Sequence, residues 1–390
     1  MDPVTVVVVV MVIVTALTFD FTNGFHDTAN AMATSIATGA LKPKTAVIAA
    51  GTLNLVGAFL STEVAKTISG GIINEAQVSI GAEFIFAGLV GAIIWNLITW
   101  LVGLPSSSSH ALMGGLVGAV IVGAGVEGVN FVALLNKILI PAIISPIIAG
   151  FASFLAIKLI YFIVKGLDEH VVTDGFKHGQ TITACLVALS HGTNDAQKTM
   201  GIITLTLISV GAQASGTGPQ IWVIALCGSA IALGTYTGGW RVIRTLGKGL
   251  TEITTPQGFA AEVSSATAIL VSSHLGFALS TTQVCSGSII GVGLGKAGSK
   301  VNWHVALQMV VAWLITFPAA ACMGALACLL TRTGLAGTIA AAVILIIAAG
   351  IIVWLSKRNP INAKNVNDSG EVRVRATKPD DTNNTSAMAA

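Results

Sequence analysis

Apolar residues run over bilayer-spanning lengths at 3–22, 84–104, 130–150, 220–240, 303–330 and 335–355. A run of about 20 such residues is what a membrane-spanning helix requires. Shorter segments around 28–40, 111–125, 199–210 and 284–295 are rich in Gly, Ser and Thr, and each directly follows a polar motif. The pattern predicts an all-α polytopic membrane protein in which long helices alternate with short, interrupted ones. At about 20 residues per span, 390 residues leave room for some ten to twelve crossings. Irregular backbone at membrane depth survives only where protein buries it or where it lines a wet cavity. Short, broken segments at matching places in a chain therefore point to a transport site.

The matching places form two copies. NGFHDTANAMA (23–33) aligns with HGTNDAQKTMG (191–201), pairing Gly24 with Gly192, Asp27 with Asp195 and Met32 with Met200. LPSSSSHALMGGLVG (104–118) aligns with FALSTTQVCSGSIIG (277–291), pairing His110 with Gln283, Gly114 with Gly287 and Gly118 with Gly291. Two motifs recurring in one order at nearly one spacing mark a duplication. The expected organisation is a first transmembrane repeat over 1–165, a connecting loop over 166–179, a second repeat over 180–355 and a polar, disordered tail over 356–390. The stretch LDEHVVTDGFKHG (167–179) has the densest charge before the tail and reads as a solvated loop.

Composition narrows the function classes. Hydrophobic residues make up 54%, charged residues 9%, and mean hydropathy is +0.84, so the partner surface is a lipid bilayer and no sizeable soluble domain fits. A net charge of only +3, part of it on the tail, excludes nucleic acid as a partner. The five cysteines show no CxxC or metal-ligand spacing and read as small core residues. The first apolar run has no basic residue before it and no small-residue cleavage site after it, which reads as a retained span. No GxxxxGK[ST] is present for an ATP-driven pump. His110 directly follows Ser109 and no G-x-S-x-G surrounds the serines, which argues against an intramembrane Ser-His-Asp enzyme.

An acid at membrane depth is costly and marks function by default, although capping or pairing with a buried base is the structural alternative. Asp27 has Asn23 and Asn30 near it, and Asp195 has Asn194 and Gln197. Such clusters of hard oxygens, joined by carbonyls of an unwound segment, suit an alkali cation. The runs Ser106–Ser109 and Ser280–Thr282 could be close helix contacts. Followed by Gly-rich helices, they also sit where a half-helix begins, so hydroxyls, free amides and the positive helix end converge as an oxyanion site. Pro105 defines the first break, whereas the second half has Ala278 there. A carboxylate beside an anion site repels the anion unless a cation lies between, which makes binding of the one depend on the other.

On NGFHDTANAMATS, HGTNDAQKTMG, LPSSSSHA and LSTTQ, over roughly residues 10–350, the chain resembles the inorganic phosphate transporter family of cation-coupled permeases. The resemblance implies an inward-facing fold in the cell membrane, with about twelve helices, re-entrant hairpins and two inverted repeats. It implies inorganic phosphate at the centre, co-transported sodium ions or protons and no other cofactor. Carried over, it makes Asn23, Asp27, Asn194 and Asp195 sodium ligands, with Ser106 and Ser280 beside them. It makes Ser107, Ser108, Ser109, Thr281 and Thr282 phosphate donors, with Asn30 and Gln197 beside them, and His110, Lys198, Gln283 and Glu262 accessory. Lys198 either snorkels to an interface or faces the anion pathway. Many relatives read HGxND and STTH in both halves, whereas this chain has NGFHD, SSSSH and Gln283, and Asn54 stands where eukaryotic members carry an acid that Glu262 keeps in the second half. Sodium-coupled phosphate import is the leading expectation. A proton-coupled phosphate or sulfate permease and a membrane enzyme acting on phosphorylated lipids are the alternatives. A homodimer would be common for such folds.

Overall fold

The computed structural model describes residues 2–71, 73 and 81–368. Helix α1 (Pro3–Ala37) opens with Asp2, whose carboxylate accepts the Thr5 amide at 3.0 Å, and with Pro3 in the first turn, where its missing N–H costs nothing. It is followed by α2 (Pro43–Gly57), α3 (Glu63–Gly71), α4 (Ala82–Val102) and α5 (Ser108–Ala124). Next, α6 (Phe131–Leu134) passes through a π-helical turn into α7 (Ile140–Ile163), and α8 (Glu169–Ser209) runs for 41 residues. The rest are α9 (Ile221–Thr237), α10 (Trp240–Arg244) with its π turn to Gly249, α11 (Thr255–His274), α12 (Thr281–Gly295), α13 (Trp303–Thr331) and α14 (Leu335–Ser356). Among the described residues the only β pairing is two isolated bridges.

Five helical stretches are long and apolar enough to cross a membrane: α1, α4, α6 with α7, α13 and α14. A sixth is α9 with the segment 240–249, bent by 62°. These are the long runs that the sequence marked. The count is below ten to twelve among the described residues because α2, α5 and α12 are half-length, with 15, 17 and 15 residues, and α8 is too polar along its length.

Helices α1 and α8 run antiparallel through the centre. Thr199 donates to Asp20 at 2.7 Å near one end of the contact, and Thr38 donates to Gln180 at 2.7 Å near the other. Here the structure corrects the expected unwound segments, because both helices continue unbroken through Asp27 and Asp195. The motif glycines serve approach rather than unwinding. A Cβ at Gly24 would lie 2.3 Å from the Ile231 carbonyl oxygen of α9, and one at Gly192 would lie 2.2 Å from the Asn54 carbonyl oxygen of α2.

The real breaks lie before α5 and α12. The chain leaves α4 through Gly103 and α11 through Gly276, both with φ of 72°, a left-handed conformation that glycine adopts freely. Gly276 thus supplies the turn that the second half makes without a proline. The segment 167–179, expected as a loop, is mostly the exposed first turns of α8, started by Asp168, which accepts the His170 amide at 2.8 Å. The tail also departs from expectation as far as Asp368. Arg241 binds the carbonyls of Leu101, Ser356 and Asn359, Arg244 binds that of Asn365, and Val366 is buried in the core. The expectation for 369–390 lies outside the described residues.

Candidate cation and anion site

Because α1 and α8 cross with their motifs facing, two acids distant in sequence meet. Oxygens of Asp27 and Asp195 and a ring nitrogen of His191 lie within 4.8 Å of one another. The tips of α5 and α12 close on them. Ser107 and Ser280 cap these helices, accepting from the amides of His110 and Gln283 at 3.2 and 3.3 Å. The next hydroxyls reach the carboxylates. Ser108 donates to Asp27 Oδ2 at 2.8 Å, Thr282 to Asp27 Oδ1 at 3.3 Å, and Thr281 to Asp195 Oδ2 at 3.1 Å. Asn30 spans the two threonines, its amide donating to their hydroxyls at 3.2 and 3.0 Å.

The carboxylates have different company. Asp27 Oδ1 also stands 2.6 Å from His26 Nδ1. Asp195 Oδ1 accepts from the Asn194 amide at 2.8 Å and from the Lys198 ammonium, and His191 Nε2 lies 2.9 Å from Oδ2. Two carboxylates, one ammonium and two imidazoles share the cluster, and the positive ends of α5 and α12 point into it. Every one of these side chains is buried, which makes each charge strongly felt.

Several buried polar atoms here have no partner: both amide atoms of Asn23, Asn30 Oδ1, His110 Nδ1 and Gln283 Oε1. Buried polar groups are ordinarily satisfied, so such a concentration marks where ligands belong. The structure thus brings together Asn23, Asp27, Asn30, Ser107, Ser108, Asn194, Asp195, Ser280, Thr281 and Thr282 on two helices and two helix tips. Ser109 donates instead to the Leu279 carbonyl, tying the two breaks together, and Ser106 donates to Thr99 at 2.7 Å. Gln197 stands apart, because its oxygen accepts the Val64 and Ala65 amides at the start of α3 and its nitrogen donates to its own helix. Glu262 forms a separate polar nest, accepting from Thr34, Thr183 and Gln180. Lys198 is fully buried and does not snorkel.

Sequence reasoning passed over three participants. Asp20 is fully buried on α1, with Oδ1 bound by Thr199 and Oδ2 unpartnered. An acid inside the first apolar run was the available signal. His191 lies in the repeated motif, and its Nδ1 meets Asn54 Oδ1 at 3.2 Å, a pairing across helices that no local pattern announces. Thr99, on α4, links Ser106 to His26, standing 3.3 Å from the ring.

Comparison with known proteins adds to this geometry. The model of the phosphate transporter family, PHO4, matches residues 23–324. The "Probable low-affinity inorganic phosphate transporter" of Mycobacterium bovis is 52% identical over 369 residues, covering 94% of this chain and 88% of that one. The protein of the same description from Bacillus subtilis is 42% identical over 321 residues, covering 82% of this chain and 96% of that one. A solved structure described as "The sodium-dependent phosphate transporter" superposes with a TM-score of 0.76 at 24% identity, over 84% of this chain and all of the other, which is a likeness of fold.

Proposed function

This chain belongs to the phosphate transporter family, and on that premise we propose that it imports inorganic phosphate by symport with a cation, sodium before protons. It is an integral protein of the cell membrane and a transporter, not an enzyme.

The observation that supports the coupling is that hydroxyls of the two helix tips are spent on the two acids. Ser108 and Thr282 donate to Asp27, and Thr281 to Asp195, so the carboxylates engage these donors. A cation arriving at Asp27, with the free oxygens of Asn23 and Asn30 as further ligands, takes over the carboxylate oxygens. The released hydroxyls and the amides of the α5 and α12 tips then turn to an oxyanion. The same cation cancels the carboxylate's repulsion of that anion. Cation and phosphate thus favour one another's binding, and by linkage they must do so equally. The sodium dependence named for the structural relative supports sodium as the ion.

The test is accumulation of labelled phosphate by sealed liposomes carrying the purified protein. An inward sodium gradient should concentrate phosphate inside, and excess unlabelled sulfate should not compete. Accumulation driven by a pH gradient alone, with sodium absent, would overturn sodium coupling, and sulfate competition would overturn the choice of anion.

A further inference from the structure

The two halves present the same acid, and its neighbour three residues on differs in kind. Asn30 follows Asp27 at the spacing at which Lys198 follows Asp195, in the aligned motif position. One helical turn brings each residue back over its acid. In the first half that position offers a neutral amide oxygen with no partner, and Asn23 offers another. In the second half it offers an ammonium, which lies on Asp195 Oδ1.

The two carboxylates hold equal numbers of hydrogen-bond partners of different kinds. Around Asp195, Oδ1 is taken by Lys198 and Asn194, and Oδ2 by Thr281, with His191 Nε2 2.9 Å away but not hydrogen-bonded. Around Asp27, Oδ1 is taken by His26 and Thr282, and Oδ2 by Ser108. The first acid has a neutral shell, with the unpartnered oxygens of Asn23 and Asn30 one helical turn away on either side. The second has a fixed ammonium in its shell. Lys198 is fully buried, and its ammonium has no hydrogen-bond acceptor other than Asp195 among the described residues.

We propose that the Lys198 ammonium occupies, as a permanent part of the chain, the place of an alkali cation at Asp195, so that the duplicated architecture takes up one fewer metal ion than its two acids provide for. This rests on the reading of the site as a cation-coupled phosphate site and removes Asp195 from the sodium ligands that the resemblance implied. An alkali ion at Asp195 would have to displace a covalently tethered charge that is already bonded to the carboxylate. The fixed charge also favours the anion at every sodium concentration, whereas Asp27 alone makes binding sodium-dependent.

The experiment counts sodium. Wild type is compared with Lys198→Asn, which copies the first half's residue, with Asn30→Lys, which copies the second's, and with Lys198→Arg, which keeps the charge. Labelled sodium bound at equilibrium to each purified protein is measured with saturating phosphate, and the sodium-to-phosphate flux ratio is measured in liposomes. Lys198→Asn should bind one more sodium per chain and raise the ratio by one, with a steeper sodium dependence. Asn30→Lys should lose one, and Lys198→Arg should match wild type. Equal sodium counts in wild type, Lys198→Asn and Asn30→Lys would overturn the proposal, and the binding count decides this even for a variant that no longer transports. Failure of the symport reading looks different: wild-type liposomes would accumulate no phosphate under a sodium gradient, whatever the counts.

Discussion

At the scale of single residues, Thr281 and Thr282 hold the most informative position, because consecutive hydroxyls at one helix tip reach different acids. Replacing either with Val keeps the shape and removes a donor. Phosphate affinity should fall by about 1.5–3 kcal/mol for each hydrogen bond lost to a charged partner, roughly ten- to a hundredfold, as read by calorimetry. Sodium affinity measured without phosphate should not fall, since on the proposed reading Thr282 competes with sodium for Asp27 while Thr281 meets Asp195, which takes up no sodium. A parallel loss of both affinities would mean that the threonines are packing residues. Asp27→Asn removes the charge with little change of shape. Phosphate binding at high sodium should then weaken, and its sodium dependence should flatten, although Asp27 need not touch phosphate. A sodium titration matching that of wild type would sink the coupling argument. The acids in the repeated motifs were legible in the sequence as charges out of place in apolar surroundings. Asp20 meets the same criterion, but it has no counterpart in the second half, so the duplicated motifs do not mark it.

At the scale of elements, the motif glycines separate what a sequence can state from what it cannot. Glycine both ends helices and lets helices touch, and nothing local distinguishes the two uses. Near Pro105 the chain does break, because proline and Gly103 act together. At Gly24 and Gly192 it does not break, since each glycine meets a backbone carbonyl of a helix far away in the chain. That partner was invisible before the fold was known. The long apolar helices and the capped half-helices were legible because their signals, run length and hydroxyl caps, are local. The same distinction predicts a difference in stability. Gly192→Ala must push α8 from α2 to relieve a 2.2 Å approach, and should lower stability by about 1–3 kcal/mol in thermal unfolding of the purified protein. Gly70→Ala in α3, where a Cβ meets nothing within 4 Å, should not lower the transition and should raise it slightly through helix propensity.

At the scale of the whole molecule, antiparallel α1 and α8 place the ends of corresponding helices at opposite faces. In a background without the native cysteines, Thr38→Cys and Ala212→Cys, the latter exposed just beyond α8, should be labelled by an impermeant reagent from opposite sides of the membrane. Labelling from the same side would reject the inverted arrangement. The two half-helices α5 and α12 are also each held by a helix of the other half. Trp313 of α13 holds the Pro105 carbonyl at the break before α5, 208 positions away, and Ser153 of α7 holds the Ser288 carbonyl of α12, 135 positions away. Such holding across the halves bears on how the protein is made. At a synthesis rate of about 5–20 residues per second, the Pro105 break exists for roughly 10 to 40 s before Trp313 emerges. During that interval a bent, hydroxyl-rich segment stands at the membrane without the helix that finally shields it. Assembly of the site is therefore a late event, and a ribosome stalled before α13 leaves behind a chain whose first half has every residue it needs and no completed binding site.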